Sequence, residues 1–162
     1  DNGYKPIRWA GARRLSRHDL AAQPNFNPVL IREGALGSNL PEREMTVSPQ
    51  HRMLISGPRA EMLFGENEVL VAAVHLVNDR SIVRAWPQEV TYIHLLFDEH
   101  EIIRANGAWT ESFQPGDQTL QSMEGPQRAE LLALFPQLEQ GDFYPAARVT
   151  IKAFEAKVLM QA

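Results

Sequence analysis

The chain has 162 residues, 44% of them hydrophobic and 22% charged, and a formal net charge of −4 at pH 7. That size and apolar content suit one globular domain with a sizeable core, whereas the acidic balance without a basic cluster argues against nucleic acid or an anionic membrane surface as the partner. Cysteine is absent, which excludes disulfides and thiolate metal sites, and no apolar run approaches the roughly 18 residues of a membrane span.

Short apolar runs alternate with turn-forming residues in the first half of the chain, a pattern typical of β-strands. Residues 16–28 are polar and contain prolines, which favours a loop with one helical turn. Residues 59–65 are predicted to form a short turn or hairpin. Strands are predicted for residues 7–15, for residues 29–31 and, with a short helix as the alternative, for residues 68–77.

The segment from Thr46 to Ile55 places a serine and a histidine three positions apart, just before an apolar strand. Pro49 fixes its own φ at about −65° and biases Ser48 toward extended geometry, so a tight turn is predicted there. Histidine can both take and give a proton near neutral pH, and a serine hydroxyl can donate or accept a hydrogen bond. Ser48 and His51 are therefore candidates for acting on one peptide bond; the alternative is that they only cap the turn and pack at the strand end.

Residues 90–97 form the strongest strand pattern, with many β-branched and aromatic side chains. A tight connection at residues 98–99 and an Asn106-Gly107 hairpin turn predict three antiparallel strands up to residue 113. If the chain stayed extended beyond residue 97, His94 and His100 would share one face with an aspartate and could bind a metal ion. The predicted turn interrupts that alternation, so metal binding is the less favoured hypothesis.

Two helices are predicted near the C-terminal end. The first covers residues 127–135 and ends at Pro136, and the second covers residues 146–160. The apolar stripe of the second helix consists of Val149, Ala153, Ala156, Leu159 and Met160. Both helices are expected to cover an open side of the β core.

Residues 47–54 resemble the Thr/Ser-x-x-His block of the Hint superfamily, the self-processing domains of inteins and Hedgehog proteins. Further stretches are similar to a bacterial Hint-like subfamily found in large secreted proteins: Pro6-Ile7-Arg8-Trp9, residues 94–103, Ala105-Asn106-Gly107, Glu111-Ser112-Phe113 and residues 130–136. The resemblance spans nearly the whole chain. It implies a mainly β, Hint-like single domain over residues 1–162, with a β core over residues 1–113 and a small helical appendage over residues 114–162.

The resemblance also implies a chemistry. In Hint domains a Cys or Ser nucleophile lies a few tens of residues before the strand that resembles residues 6–9, so the expectation is that this chain lacks its first block and is inactive alone. The nucleophile attacks its own preceding peptide bond and forms a thioester or ester. His51 would protonate or orient the leaving amide, and Ser48 would hydrogen-bond the strained backbone. The strand that contains His94 resembles an intein block with a polar residue beside the scissile bond, and His94 matches that residue. His100 falls near the histidine of this intein block.

Glu111-Ser112 stands where inteins carry a His-Asn dipeptide, whose Asn cyclises to free the C-terminal flank. Splicing is therefore not expected, whereas cleavage at the N-terminal junction is. The implied partner is the N-terminal flanking polypeptide itself, with no cofactor, and the implied context is a monomer within a larger, secreted bacterial protein. Two alternatives stay open: a catalytically degenerate structural module, and a metal-assisted hydrolase that uses His94 and His100.

Overall fold

The computed structural model describes residues 3–115, 120, 125–140 and 145–161. In chain order the strands are β1 (Trp9–Ser16), β2 (Val29–Ile31), β3 (Met45–Val47), β4 (Arg52–Ser56), β5 (Glu68–Ala72), β6 (Ile82–Arg84), β7 (Glu89–Leu96), β8 (Ile102–Ala105), β9 (Ala108–Glu111) and β10 (Val149–Thr150). The helices are α1 (Arg17–Ala22), α2 (Pro58–Phe64), α3 (Gly125–Leu134) and α4 (Ala153–Met160). Short 3-10 turns cover Pro24–Phe26, Ala73–Leu76 and Pro136–Gln140. The mainly β fold class is confirmed.

The described strands form three sheets. The largest has five strands in the order β10-β5-β4-β9-β8, a second has the order β3-β2-β6, and β1 pairs with β7 alone. In the five-stranded sheet, β4 runs antiparallel to β9, with Met53 opposite Thr110. The strand that follows the serine–histidine turn therefore lies against a strand more than fifty residues away in the chain.

The prediction of three consecutive antiparallel strands over residues 90–113 is wrong in its first pairing. The residues of β7 pair with β1 along their whole length, from Trp9 opposite Leu96 to Ser16 opposite Glu89. The connection after β7 turns inward, because both Phe97 and His100 are buried. The second pairing, between β8 and β9, is confirmed, and Asn106 and Gly107 have the positive φ angles of 47° and 79° that a type I′ turn requires.

Residues 59–65 were predicted as a turn or hairpin, and that prediction is wrong because α2 occupies them. Pro58 stands in the first turn of this helix, where its missing N–H costs nothing. Gly65 ends the helix in the left-handed conformation at φ 72°, and its N–H donates to the carbonyl of Glu61. The start and stop signals of this helix were thus both present in the sequence.

The first C-terminal helix is confirmed as α3, but the second is shorter than predicted. Val149 lies in β10, which pairs in parallel with β5, and α4 begins only at Ala153. Ala156 and Leu159 are buried in the main hydrophobic core, so the expectation that this segment covers the β core is confirmed. No helix in the described ranges has the length and hydropathy that a bilayer span needs.

Three clusters of buried apolar side chains underlie this arrangement. The largest joins β2, β4, β5 and the 3-10 turn that follows β5 to α4. A second cluster surrounds Trp9 and Leu96 and includes residues of α3, and a third surrounds Leu15, Leu20 and Tyr92. The serine–histidine turn lies at the N-terminal end of β4, which contributes Met53 to the main core.

Candidate active site

The turn before β4 has a rigid backbone. His51 N–H donates to the carbonyl of Ser48 at 3.1 Å, which closes the predicted tight turn. The 3-10 turn after β5 holds the same segment from the other side, since Ala73 N–H donates to the carbonyl of His51 at 2.8 Å and Val74 N–H donates to the carbonyl of Pro49 at 3.0 Å. Little backbone freedom is left to His51, so its ring position is set by the fold.

The ring of His51 contacts the hydroxyl of Thr110 through Nε2. That hydroxyl donates its single proton to the carbonyl of Arg52, 2.9 Å away, which is a stronger acceptor than the thioether of Met53 at 3.5 Å. The Thr110 oxygen must therefore accept from His51, so Nε2 carries the ring proton. Nδ1 of His51 is left with a lone pair that can take a proton.

The surroundings of His51 keep its ring neutral at pH 7. Burial is the largest effect and lowers the pKa of His51 below the ordinary value of 6.5. The Glu111 carboxylate opposes this shift of the pKa, whereas Arg52 and His100 add to it. A neutral ring with a free Nδ1 lone pair is the form that acts as a general base.

Ser48 is partly buried and precedes His51 by three residues in the same turn. Within the described ranges its hydroxyl makes no hydrogen bond, although its carbonyl is used by the turn. The turn therefore presents one hydroxyl and one basic ring nitrogen from residues three positions apart.

His94 lies on β7, opposite Gly11 of β1. Its ring packs on Phe113 with the ring centroids 4.7 Å apart and a tilt of 52°. Burial is the largest effect and lowers the pKa of His94, and electrostatic interactions with His51 and Arg13 lower it further, so the two histidines share one electrostatic environment. Trp9 covers Gly11 so closely that a Cβ at residue 11 would lie 2.1 Å from a ring carbon, and the indole also contacts Phe113. Phe113, which itself packs on Trp9, thus restricts the position of the His94 ring.

Glu111 joins β9 to β4 through a buried carboxylate. One carboxylate oxygen accepts from the backbone N–H of Arg52 at 2.9 Å, and the other accepts from the Arg52 guanidinium at 3.0 Å. The same guanidinium nitrogen donates to the side chain of Gln114 at 2.8 Å. The pair is well buried on the glutamate side, with 9% of that side chain exposed.

The ring of His100 is enclosed, with 0% of its side chain exposed. Ala147 N–H donates to Nδ1 at 2.9 Å, so Nδ1 is the acceptor and a ring proton lies on Nε2. Nε2 is 3.2 Å from the Glu111 carboxylate but is not aligned for a hydrogen bond, so the contact is electrostatic. Ser112 is also engaged, since its hydroxyl accepts from Glu101 N–H at 2.9 Å.

The two histidines of the hypothetical metal site, His94 and His100, have different surroundings in the structure. His94 packs on Phe113, whereas His100 faces Glu111 and Ala147, because β7 ends at Leu96 and the chain then turns. Among the residues that the structure describes, no cluster of three or more His, Asp or Glu side chains is arranged to hold a metal ion. The metal-assisted alternative therefore gains no ligand set from this part of the chain.

The structure brings together residues that lie far apart in the sequence. Ser48 and His51 share the turn, and both His94 and His100 lie within electrostatic reach of His51. Sequence reasoning missed Thr110 and the pairing of Glu111 with Arg52. The available signal was a polar Thr-Glu pair directly before Ser112 in a predicted strand, since polar side chains that are buried in a sheet need partners.

The β-rich fold and the serine–histidine turn agree with the comparison against protein families. The family model described as the Hint domain matches residues 1–117 of the 162-residue chain, a region that includes β1 to β9 and all four predicted site residues. The chain therefore belongs to the Hint-domain family. Comparisons with curated proteins and with solved structures gave no significant match.

Proposed function

We propose that this domain cleaves the peptide bond at its own N-terminal junction within a longer precursor, through an acyl shift and without splicing. The observation that carries the proposal is the state of His51: a neutral ring, fixed by Thr110 at Nε2, with a lone pair at Nδ1, in the same tight turn as Ser48. Membership of the Hint-domain family supports the same chemistry.

The reaction uses a Cys or Ser nucleophile that, as the family resemblance implies, precedes residue 1 in the precursor. Its sulfur or oxygen attacks the carbonyl carbon of the preceding peptide bond, and its proton passes to Nδ1 of His51. The C–N bond then breaks while Nδ1 returns that proton to the leaving amide nitrogen, which leaves the N-terminal flank as a thioester or ester. Water adds to this carbonyl, releases the flank as a carboxylic acid and restores the proton of the nucleophile.

The lowered pKa of His51 suits both halves of this proton transfer. A neutral ring accepts the proton at pH 7, and a low pKa makes the protonated ring a stronger acid toward the departing nitrogen. Ser48 is proposed to hydrogen-bond the strained peptide bond, and His94 to contact the polar groups around it. His100 has its ring enclosed, so its proposed role is to support the site through Glu111. No cofactor takes part.

The residues at the end of β9 favour cleavage over splicing. Splicing of the intein type requires an Asn side chain that cyclises, and the resemblance places Glu111 and Ser112 at that point. The Glu111 carboxylate is bound by Arg52, and the Ser112 hydroxyl accepts from Glu101. The context of a larger secreted bacterial protein is part of the proposal and rests on the resemblance alone.

The test is intact mass spectrometry of the precursor that includes the natural upstream sequence. We expect the unchanged precursor to split at the nucleophile, and His51→Ala to slow this cleavage by about 100-fold or more. His18→Ala is the matched control, because His18 is exposed on α1 and should leave the rate unchanged. A precursor that stays whole even with added thiol or hydroxylamine would overturn the proposal.

One observation favours the structural-module alternative. The side chains of Glu111, Ser112 and His100 are satisfied or enclosed within the fold, as in a domain that is stabilised rather than kept reactive. For such a module, His51→Ala would change only the free energy of unfolding. The same precursor experiment therefore separates the two functions.

A further inference from the structure

We infer that Thr110 is a positioning residue that fixes the ring orientation and the proton position of His51. Thr110 is 2% exposed and lies on β9, opposite Met53 of β4. Its importance for cleavage rests on the proposed function, but its hold on the ring is a property of the folded chain alone.

The Thr110 hydroxyl is held in one direction. A β-branched side chain has few accessible χ1 rotamers, so the strand fixes the direction of Oγ1. The carbonyl of Arg52, at 2.9 Å, can only accept a hydrogen bond and takes the hydroxyl proton. The lone pairs of the same oxygen then face Nε2 of His51, which must donate.

Side chains of β9 also anchor this strand to β4 at Arg52. Both backbone groups of Arg52 are bound by side chains of successive residues of β9: its carbonyl by Thr110 and its N–H by Glu111 at 2.9 Å. The Arg52 guanidinium adds a bond to the Glu111 carboxylate at 3.0 Å. Sliding of β9 along β4 would break all of these hydrogen bonds together, so the Thr110 hydroxyl stays in contact with the His51 ring.

The consequence for His51 is a single hydrogen-bonded state. With Nε2–H donated to Thr110, the basic Nδ1 is aimed away from β9 and cannot exchange roles with Nε2 by a ring flip without losing this bond. Removal of the hydroxyl frees the ring to rotate and leaves the Arg52 carbonyl without its side-chain donor. The methyl group of Thr110 only restricts χ1, whereas the contacts of the hydroxyl with Arg52 and His51 hold the ring, so a serine that keeps these contacts should keep most of this effect.

Two substitutions separate the hydroxyl from the shape of the side chain. Thr110→Val keeps the shape and loses the hydroxyl, whereas Thr110→Ser keeps the hydroxyl and loses the methyl group. If Thr110 positions His51, the precursor of the Val variant should cleave about 10-fold or more slowly while the Ser variant stays within a few-fold of the unchanged rate. The opposite order, with Ser impaired and Val active, would mean that Thr110 serves only packing.

Nitrogen-15 NMR of the 162-residue chain tests the same inference without cleavage. Neutral His51 should show a protonated Nε2, an unprotonated Nδ1 and a ring proton protected from solvent exchange in the unchanged and Thr110→Ser chains. In Thr110→Val that protection should be lost. A proton on Nδ1 in the unchanged chain refutes the inference even if the variants fail to fold, and a precursor that never cleaves leaves this result unaffected.

Discussion

His51 and His100 both lie within electrostatic reach of Glu111, but their rings have different surroundings. His51 is partly buried, is held at Nε2 by Thr110 and keeps a lone pair at Nδ1. His100 is fully enclosed, accepts from Ala147 at Nδ1 and faces the carboxylate with Nε2. The two rings therefore differ in one respect that bears on the proposed proton transfer: only His51 keeps a ring nitrogen with an unused lone pair.

The largest effect on stability is expected when His100 is replaced by alanine. The change leaves a cavity and removes the acceptor of the part-buried Ala147 N–H, so we expect a loss of about 3 kcal/mol in the free energy of unfolding. Urea denaturation measures it. The exposed variant His18→Ala should change nothing, and a loss below about 1 kcal/mol for His100→Ala would break the contrast with His51.

A smaller loss is expected for Glu111→Gln. The substituted amide turns an NH2 group toward donors of Arg52 or His100, so we expect the free energy of unfolding to fall by about 2 kcal/mol. The matched control is Glu89→Gln, which weakens the exposed pair with Arg14 and should fall within measurement error. Equal losses for the two variants would show that burial does not distinguish these ion pairs.

The third expectation concerns pH. Burial lowers the pKa values of His51 and His94 below 6.5, so the folded chain binds fewer protons than the unfolded chain just below that pH. Stability should therefore fall as the pH drops below about 6.5, and continue to fall until the lowered pKa values are passed. Melting temperatures measured from pH 7.5 downward test this. The double variant His51→Gln, His94→Gln should flatten the decline, and an equally steep decline in that variant would assign it to other groups.

Features that depend on neighbouring residues were predicted from the sequence, and features that depend on strand pairing were not. Pro49 dictates the turn that carries Ser48 and His51, and Asn106-Gly107 dictates the hairpin of β8 and β9. The contact between Thr110 and His51 depends on β4 lying beside β9, which no local pattern encodes. The pairing of β7 with β1 is equally non-local.

Helix α2 was missed for a different reason, because the sequence signals for its start and end were local. Pro58 begins the seven-residue helix and Gly65 ends it, but the segment is shorter than the length at which an apolar period becomes visible. The overestimated length of α4 has the opposite cause. Val149 continues an apolar helical stripe in the sequence, but in the structure it lies in β10 and pairs with Val69 of β5.

The pairing of β10 with β5 has a consequence for cutting the domain at the end of the family match, residue 117. Without the residues beyond that point, β5 would become the outer strand of its sheet, and its run Val69-Leu70-Val71 would present unpaired backbone groups to other molecules. The face that Ala156 and Leu159 now cover would open to solvent at the same time. The segment from β10 to α4 thus covers a sheet edge and an apolar face through which truncated chains would be expected to associate.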